Sequence, residues 1–160
     1  MNTPSVLVWT AFLSFLPISE LRGGIPFAIA SGVPWYWAYP FAVAFNALVG
    51  PACWLFLSTL HTYLCALGVY RNFFDRFVER ARVKLHKGVR KWGWLGIAVF
   101  VAIPLPVTGA WTGTLGAWVL GISKGKTMIA VLLGIMAAGA IVTAVFTLGL
   151  QAFSLFIKKL

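Results

Sequence analysis

The chain has 160 residues, 61% of them hydrophobic, and carries a formal net charge of +10, from 13 Lys and Arg against three Asp and Glu. With a mean hydropathy of +0.91, that much apolar surface cannot be hidden inside a soluble domain of this size, so an all-α integral membrane protein is expected. Eight of the cations fall in one block, Arg71 to Lys91. A basic block between two apolar halves reads as a cytoplasmic loop, not as a nucleic-acid surface, and no nucleic-acid partner is expected.

The N-terminus lacks the cationic start and small-residue cleavage site of a secretory signal, so the first apolar stretch is expected to stay in the protein. Val6 to Leu16 gives eleven residues before Pro17, and Leu21 to Val33 gives thirteen after it. At about 1.5 Å per residue neither limb crosses a hydrocarbon core of about 30 Å. Two half-length limbs around a break suggest a re-entrant hairpin over residues 1–34, a form tolerated where protein or water satisfies the opened backbone.

Trp35, Tyr36, Trp37 and Tyr39 then form an aromatic cluster suited to the headgroup level. From Pro40 to about Leu67 the chain is apolar for long enough to span, with Pro51 as a kink, giving a first spanning unit over 35–68. Cys53 and Cys65 lie about 18 Å of helical rise apart, too far for a bridge within that helix. In the 71–91 segment Phe73, Phe74, Phe77, Val78, Ala81 and Leu85 fall at helical spacing among cations, which predicts an amphipathic helix on the cytoplasmic face, drawn to anionic lipid or docked on the hairpin base.

The second half repeats the order. Trp92 and Trp94 mark an interface, Leu95 to Ile103 is a short limb, Pro104-Leu105-Pro106 breaks it and Val107 to Ile122 returns, a second hairpin over 92–123. After a polar turn at Ser123 to Lys126, Thr127 to Ile157 is long enough to span, completing a unit over 124–160. Charge counting puts Arg71–Lys91 and the Lys124/Lys126 turn in the cytoplasm, so the hairpins enter from opposite faces as an inverted repeat. The rival topology, in which each hairpin is a pair of full crossings, gives six spans with the same loop sidedness.

Glu20 and Arg22 interrupt the apolar first half in the stretch PISELRGGIP. Each charge costs about 2.5–3.5 kcal/mol at mid-bilayer, which points to a setting in protein or in a wet cavity. Half-helix N-termini near Glu20 and Val107, with the Ser19, Thr108 and Thr112 hydroxyls, offer donors for an anionic group, while Gly23, Gly24, Gly109 and Gly113 permit close approach. Arg22 suits an anion ligand and Glu20 a carboxylate that loads and releases a proton; the plainer reading is a structural ion pair or capping carboxylate that braces the tip. Asn46 either bonds a hairpin tip, lines the path or joins helices. His61 reads as a packing residue with a proton relay as the alternative, and His86 as solvated.

The elements E-x-R-G-G-I-P (Glu20, Arg22, Gly23, Gly24, Ile25, Pro26) and P-L-P-x-T-G-x-W-T-G (Pro104, Pro106, Thr108, Gly109, Trp111, Thr112, Gly113) together resemble the small multidrug export family of prokaryotic membrane proteins, itself similar to the DedA superfamily. The resemblance spans almost the whole chain. It implies two inverted hairpin-plus-helix units in a prokaryotic cytoplasmic membrane and membership among proteins linked to proton-dependent movement of lipids, including polyprenyl phosphate carriers. The DedA pattern also has arginine in and near the second hairpin; here no arginine follows Arg90, so anion capture falls to Arg22 and backbone.

No enzyme signature is present, since the only acidic residue outside the basic block is Glu20, and neither a metal nor another cofactor is expected. The expected site comprises Ser19, Glu20, Arg22, Gly23, Gly24, Pro26, Asn46, Pro104, Pro106, Thr108, Gly109 and Thr112. Three kinds of function fit: a proton-coupled translocase of an anionic amphiphile, a passive lipid scramblase or ion channel, and a non-transporting membrane-assembly subunit, with small multidrug export as a further alternative to the first. The expected partners are membrane lipids, an anionic amphiphilic substrate, protons and a second copy of the chain, because two spanning helices make a thin barrel.

Overall fold

A computed structural model describes residues 3–64, 79, 92–105 and 108–157; these are helices and turns, without a strand among them. The first hairpin is helix α1 (Thr3–Phe15) and helix α2 (Glu20–Ala30). Pro17 cannot extend α1, having no N–H, and the turn that follows is held by the Leu16 N–H on the Phe12 carbonyl at 3.1 Å and the Glu20 N–H on the Leu16 carbonyl at 3.0 Å.

Helix α3 (Trp35–Ala47) and helix α4 (Val49–Leu64) run nearly continuously, interrupted at Leu48. The interruption sits where Pro51 predicts it, because the proline ring crowds the carbonyl four residues back, that of Ala47. Helix α5 (Leu95–Ala102) stops at Ile103, which is extended with φ −80° and ψ 113°, the conformation that a following proline favours. Helix α6 (Ala110–Val119) returns, and helix α7 (Lys124–Ile157) follows. Lys124 and Lys126 therefore open α7 and do not form a separate turn, so that helix starts three residues before the expected Thr127.

The returning limbs α2 and α6 end alike. Gly32, with φ 91°, donates to the Ile29 carbonyl while Val33 donates to Ala28; Gly121, with φ 71°, donates to Trp118 while Ile122 donates to Ala117. Both are left-handed glycine caps that satisfy orphan helix carbonyls.

Among the described residues, two stretches are long and apolar enough to cross a membrane: Trp35–Leu60, of 26 residues, and Lys124–Leu150, of 27. Helices α1, α2, α5 and α6 rise only about 20, 16, 12 and 15 Å. The long helix α7 packs against α2, α3, α5 and α6, and small residues permit the approach. A Cβ on Gly134 would lie 2.5 Å from the Val101 Cβ and 2.8 Å from the Ala98 carbonyl, which brings α5 directly onto α7. Ile25, Leu57, Ile97 and Ile135 are fully buried in the core, and free Cys53 is buried beside them. Outside it, large apolar side chains such as Ile129, Leu132, Leu133, Val145 and Leu148 on α7 stand exposed, a surface that suits lipid and not water. The chain is a membrane protein.

Apart from residue 79, the amphipathic segment read across 71–91 lies outside the described residues, as do Cys65, His86 and Pro106, and so does the side chain of His61.

Candidate functional site at the meeting of two helical turns

The turn between α1 and α2 meets the turn between α5 and α6. Glu20 opens α2 with φ 47°, the one non-glycine residue with positive φ among the described residues. That left-handed conformation costs roughly 1–2 kcal/mol for a residue with a Cβ. What it secures is the direction of the side chain, which is buried with 6% exposure and laid against the start of α6. There Oε2 accepts the Ala110 N–H at 3.2 Å and Oε1 accepts the Trp111 N–H at 3.4 Å. A carboxylate thus takes two of the unpaired N–H groups at the positive end of a helix dipole, across 90 residues of chain.

Arg22 makes the companion contact, donating from Nη2 to the Thr108 carbonyl. The Thr108 hydroxyl is turned inward on its own loop: it lies 2.6 Å from the Ile103 carbonyl and 2.7 Å from that of Leu105, and accepts the Leu105 N–H at 3.1 Å. Gly109 fits beneath Glu20 because it has no side chain; a Cβ there would collide with the carboxylate. Two further side chains satisfy carbonyls at the end of α1. Asn46 Nδ2 donates to Ser14 at 2.6 Å, and Trp111 Nε1 donates to Phe15 at 2.8 Å, with the Phe15 and Trp111 rings edge to face at 5.6 Å.

The expected site residues thus divide. Glu20, Arg22, Asn46, Pro104 and Gly109 converge on one cavity of about 10 Å³, with Thr108 beside them. Arg22 and Pro104 also line a second cavity of about 440 Å³, together with Pro26 and the apolar Ile141, Val142, Val145 and Phe146 of α7. Ser19 precedes α2 without a side-chain capping bond. Gly23 and Gly24 serve packing: a Cβ on Gly24 would strike the Ser14 hydroxyl and come 3.2 Å from the Thr10 carbonyl, and one on Gly23 would strike Ser19. Thr112 donates to the Gly109 carbonyl at 3.3 Å.

One expectation changes with this geometry. The Ala110 and Trp111 N–H groups, which the sequence offers to an external anion along with the Ser19, Thr108 and Thr112 hydroxyls, hold the protein's own Glu20, and the Thr108 and Thr112 hydroxyls bond carbonyls of their own turn. Sequence reasoning also passed over Thr10, Ser14 and Thr114, all fully buried. The signal was present on α1, where Val6, Thr10 and Ser14 recur every four residues, and all three are buried.

A family model described as "putative small multi-drug export protein" matches residues 20–141, a stretch that begins at Glu20 and contains both turns' motifs. No curated protein and no solved structure matches the chain significantly.

Proposed function

Since the chain belongs to the small multi-drug export protein family, we propose that it is a secondary transporter that moves an anionic amphiphile, such as a polyprenyl phosphate or a phospholipid, in exchange with protons. In this reading α1–α2 and α5–α6 are re-entrant hairpins dipping from opposite faces, the basic 71–91 segment is cytoplasmic, and the pair of units forms an inverted repeat. Support for the hairpins comes from helix length: limbs of about 12–20 Å stop short of a core of about 30 Å, and their turns meet.

One observation carries the choice of cargo. Arg22 stands at the wall of a cavity of about 440 Å³ whose other lining residues are prolines, a glycine and large apolar side chains. A single guanidinium on an apolar groove complements a molecule with one anionic head and a hydrocarbon tail, and it repels a cationic drug. One carbonyl, that of Thr108, takes one of its five N–H donors, and others remain to grip phosphate.

Proton coupling follows from the cap. An ionised Glu20 holds the start of α6; a protonated one loses its attraction for the helix dipole and for the two N–H groups, so the turns loosen. Loading a proton and releasing the tip are then one event, which is what alternating access through opposed hairpins requires.

The test is reconstitution in liposomes with a labelled polyprenyl phosphate and, separately, a cationic dye. Wild type moves the phosphate in step with an imposed pH gradient, Glu20→Gln abolishes the response to the gradient, and Arg22→Ala abolishes flux. Flux indifferent to the gradient and to Glu20→Gln identifies a passive scramblase and rejects the reading; so does transport of the cation alone.

A further inference from the structure

The cavity of about 10 Å³ beneath Arg22 is bounded by Glu20, Asn46, Gly109 and apolar side chains of α2, α5 and α7. Asn46 is completely buried, and its two amide atoms fare differently: Nδ2 donates to the Ser14 carbonyl at 2.6 Å, whereas Oδ1 has no hydrogen-bond partner. A buried amide oxygen left unpaired is costly, and Asn46 and Glu20 both line this space. Both groups are acceptors, so what satisfies both must be a donor of two hydrogens. The space admits about one water molecule.

A bare metal cation is the other two-sided partner of oxygen ligands, and the surroundings oppose it. Arg22 lines the same cavity, and the Ala110 and Trp111 N–H groups point at the Glu20 oxygens with the positive end of α6 behind them. The remaining lining residues, Leu21, Val101, Pro104, Gly109, Ile135, Ala138 and Val142, bring neither charge nor a titrating group from α2, α5 or α7, which leaves Arg22 as the one charge facing Glu20 among the described residues.

We propose that this cavity binds a single water that joins Glu20 to Asn46, and that Asn46 is the positioning residue for the proton on Glu20. The inference rests on the proton-coupled reading above. With Glu20 ionised, the water donates one hydrogen to a carboxylate oxygen and the other to Asn46 Oδ1. When a proton arrives from the aqueous phase, a new O–H bond forms on Glu20, its charge goes from −1 to zero, and that O–H donates to the oxygen of the same water. The water keeps its bond to Asn46 throughout. Asn46 therefore fixes the orientation in which the water meets the acid, and the water gives the departing or arriving proton a defined place.

Infrared difference spectra of the full-length protein in liposomes, recorded as pH is stepped, test this without reference to transport. The carbonyl band of protonated Glu20 is identified by its loss in Glu20→Gln. Asn46→Leu, of similar volume but without the oxygen, removes the water and displaces the midpoint of that band by about one pH unit or more, upward because the ionised form loses the greater solvation. A band of the bound water that shifts in H₂¹⁸O disappears in the same variant. Should Asn46→Leu fail to fold, Asn46→Thr, smaller and still polar, takes its place with a smaller shift. Thr10→Val, which removes a buried bond to the Val6 carbonyl on α1, lowers stability and leaves the midpoint where it is. An unmoved midpoint in the Asn46 variants, a Thr10→Val shift of equal size, or a Glu20 band replaced on addition of sodium each overturns the proposal. Absent flux with the midpoint shift intact rejects the transport reading and keeps the water.

Discussion

The two turns that meet at the site are built on opposite plans. The first contributes charged side chains, Glu20 and Arg22; the second contributes backbone, with the Ala110 and Trp111 N–H groups and the Thr108 carbonyl as the receiving atoms. Its nearby hydroxyls, those of Thr108 and Thr112, are spent on carbonyls of their own turn, and Gly109 yields its volume to the carboxylate. The lesson is that the two halves share an order of elements while dividing the chemistry: a charged plug on one side, a socket of helix ends on the other. A backbone socket cannot titrate, so any pH dependence of the contact has to come from the plug.

The largest way to break this arrangement is to fill the socket. Gly109→Ala puts a methyl group into the Glu20 carboxylate and forces the turns apart, with an expected cost of about 2–4 kcal/mol and loss of flux, checked by thermal unfolding in detergent and by the liposome assay. Next comes the plug. Glu20→Gln keeps one amide oxygen on α6 but forfeits the charge on the helix dipole, at about 1–2 kcal/mol, and makes both stability and flux insensitive to pH across the range in which wild type responds. Arg22→Ala frees the Thr108 carbonyl and removes the cation from the larger cavity; stability falls by about 1 kcal/mol, while phosphate flux is lost altogether, so the split between the two readouts separates anion binding from bracing. The smallest effect belongs to the flank: Trp111→Phe loses one hydrogen bond to the Phe15 carbonyl and retains the ring contact, for about 0.5–1.5 kcal/mol and unchanged coupling.

Much of this was legible in the chain. Pro17, Pro51 and Pro104 mark where helices stop or break, since a missing N–H and a crowded carbonyl act locally. Glu20 and Arg22 are conspicuous because charge in an apolar stretch is expensive. The partners of Glu20 could not be read. Backbone N–H groups carry no mark in sequence, so the start of α6 looked like a place for a foreign anion until Glu20 was found in it. Likewise Gly24 by its sequence permits close approach of either backbone or ligand, and its contacts with Ser14 and Thr10 make it room for α1. Asn46 was visible as a polar residue in a spanning helix, but which of its two amide atoms would be left over depends on the Ser14 carbonyl, a feature of the folded hairpin alone.

The central claim, that Glu20 of the first turn sits in the socket formed at Gly109 and the start of α6, is tested most directly by a double-mutant cycle between Glu20→Ala and Gly109→Ala, read as thermal stability in detergent. If the two residues share one space, the alanine at 109 keeps only the backbone strain of its φ of 158° once the carboxylate is gone, the clash term vanishes, and the cycle returns a coupling of about 2 kcal/mol or more. Additive costs from the two substitutions would contradict the account.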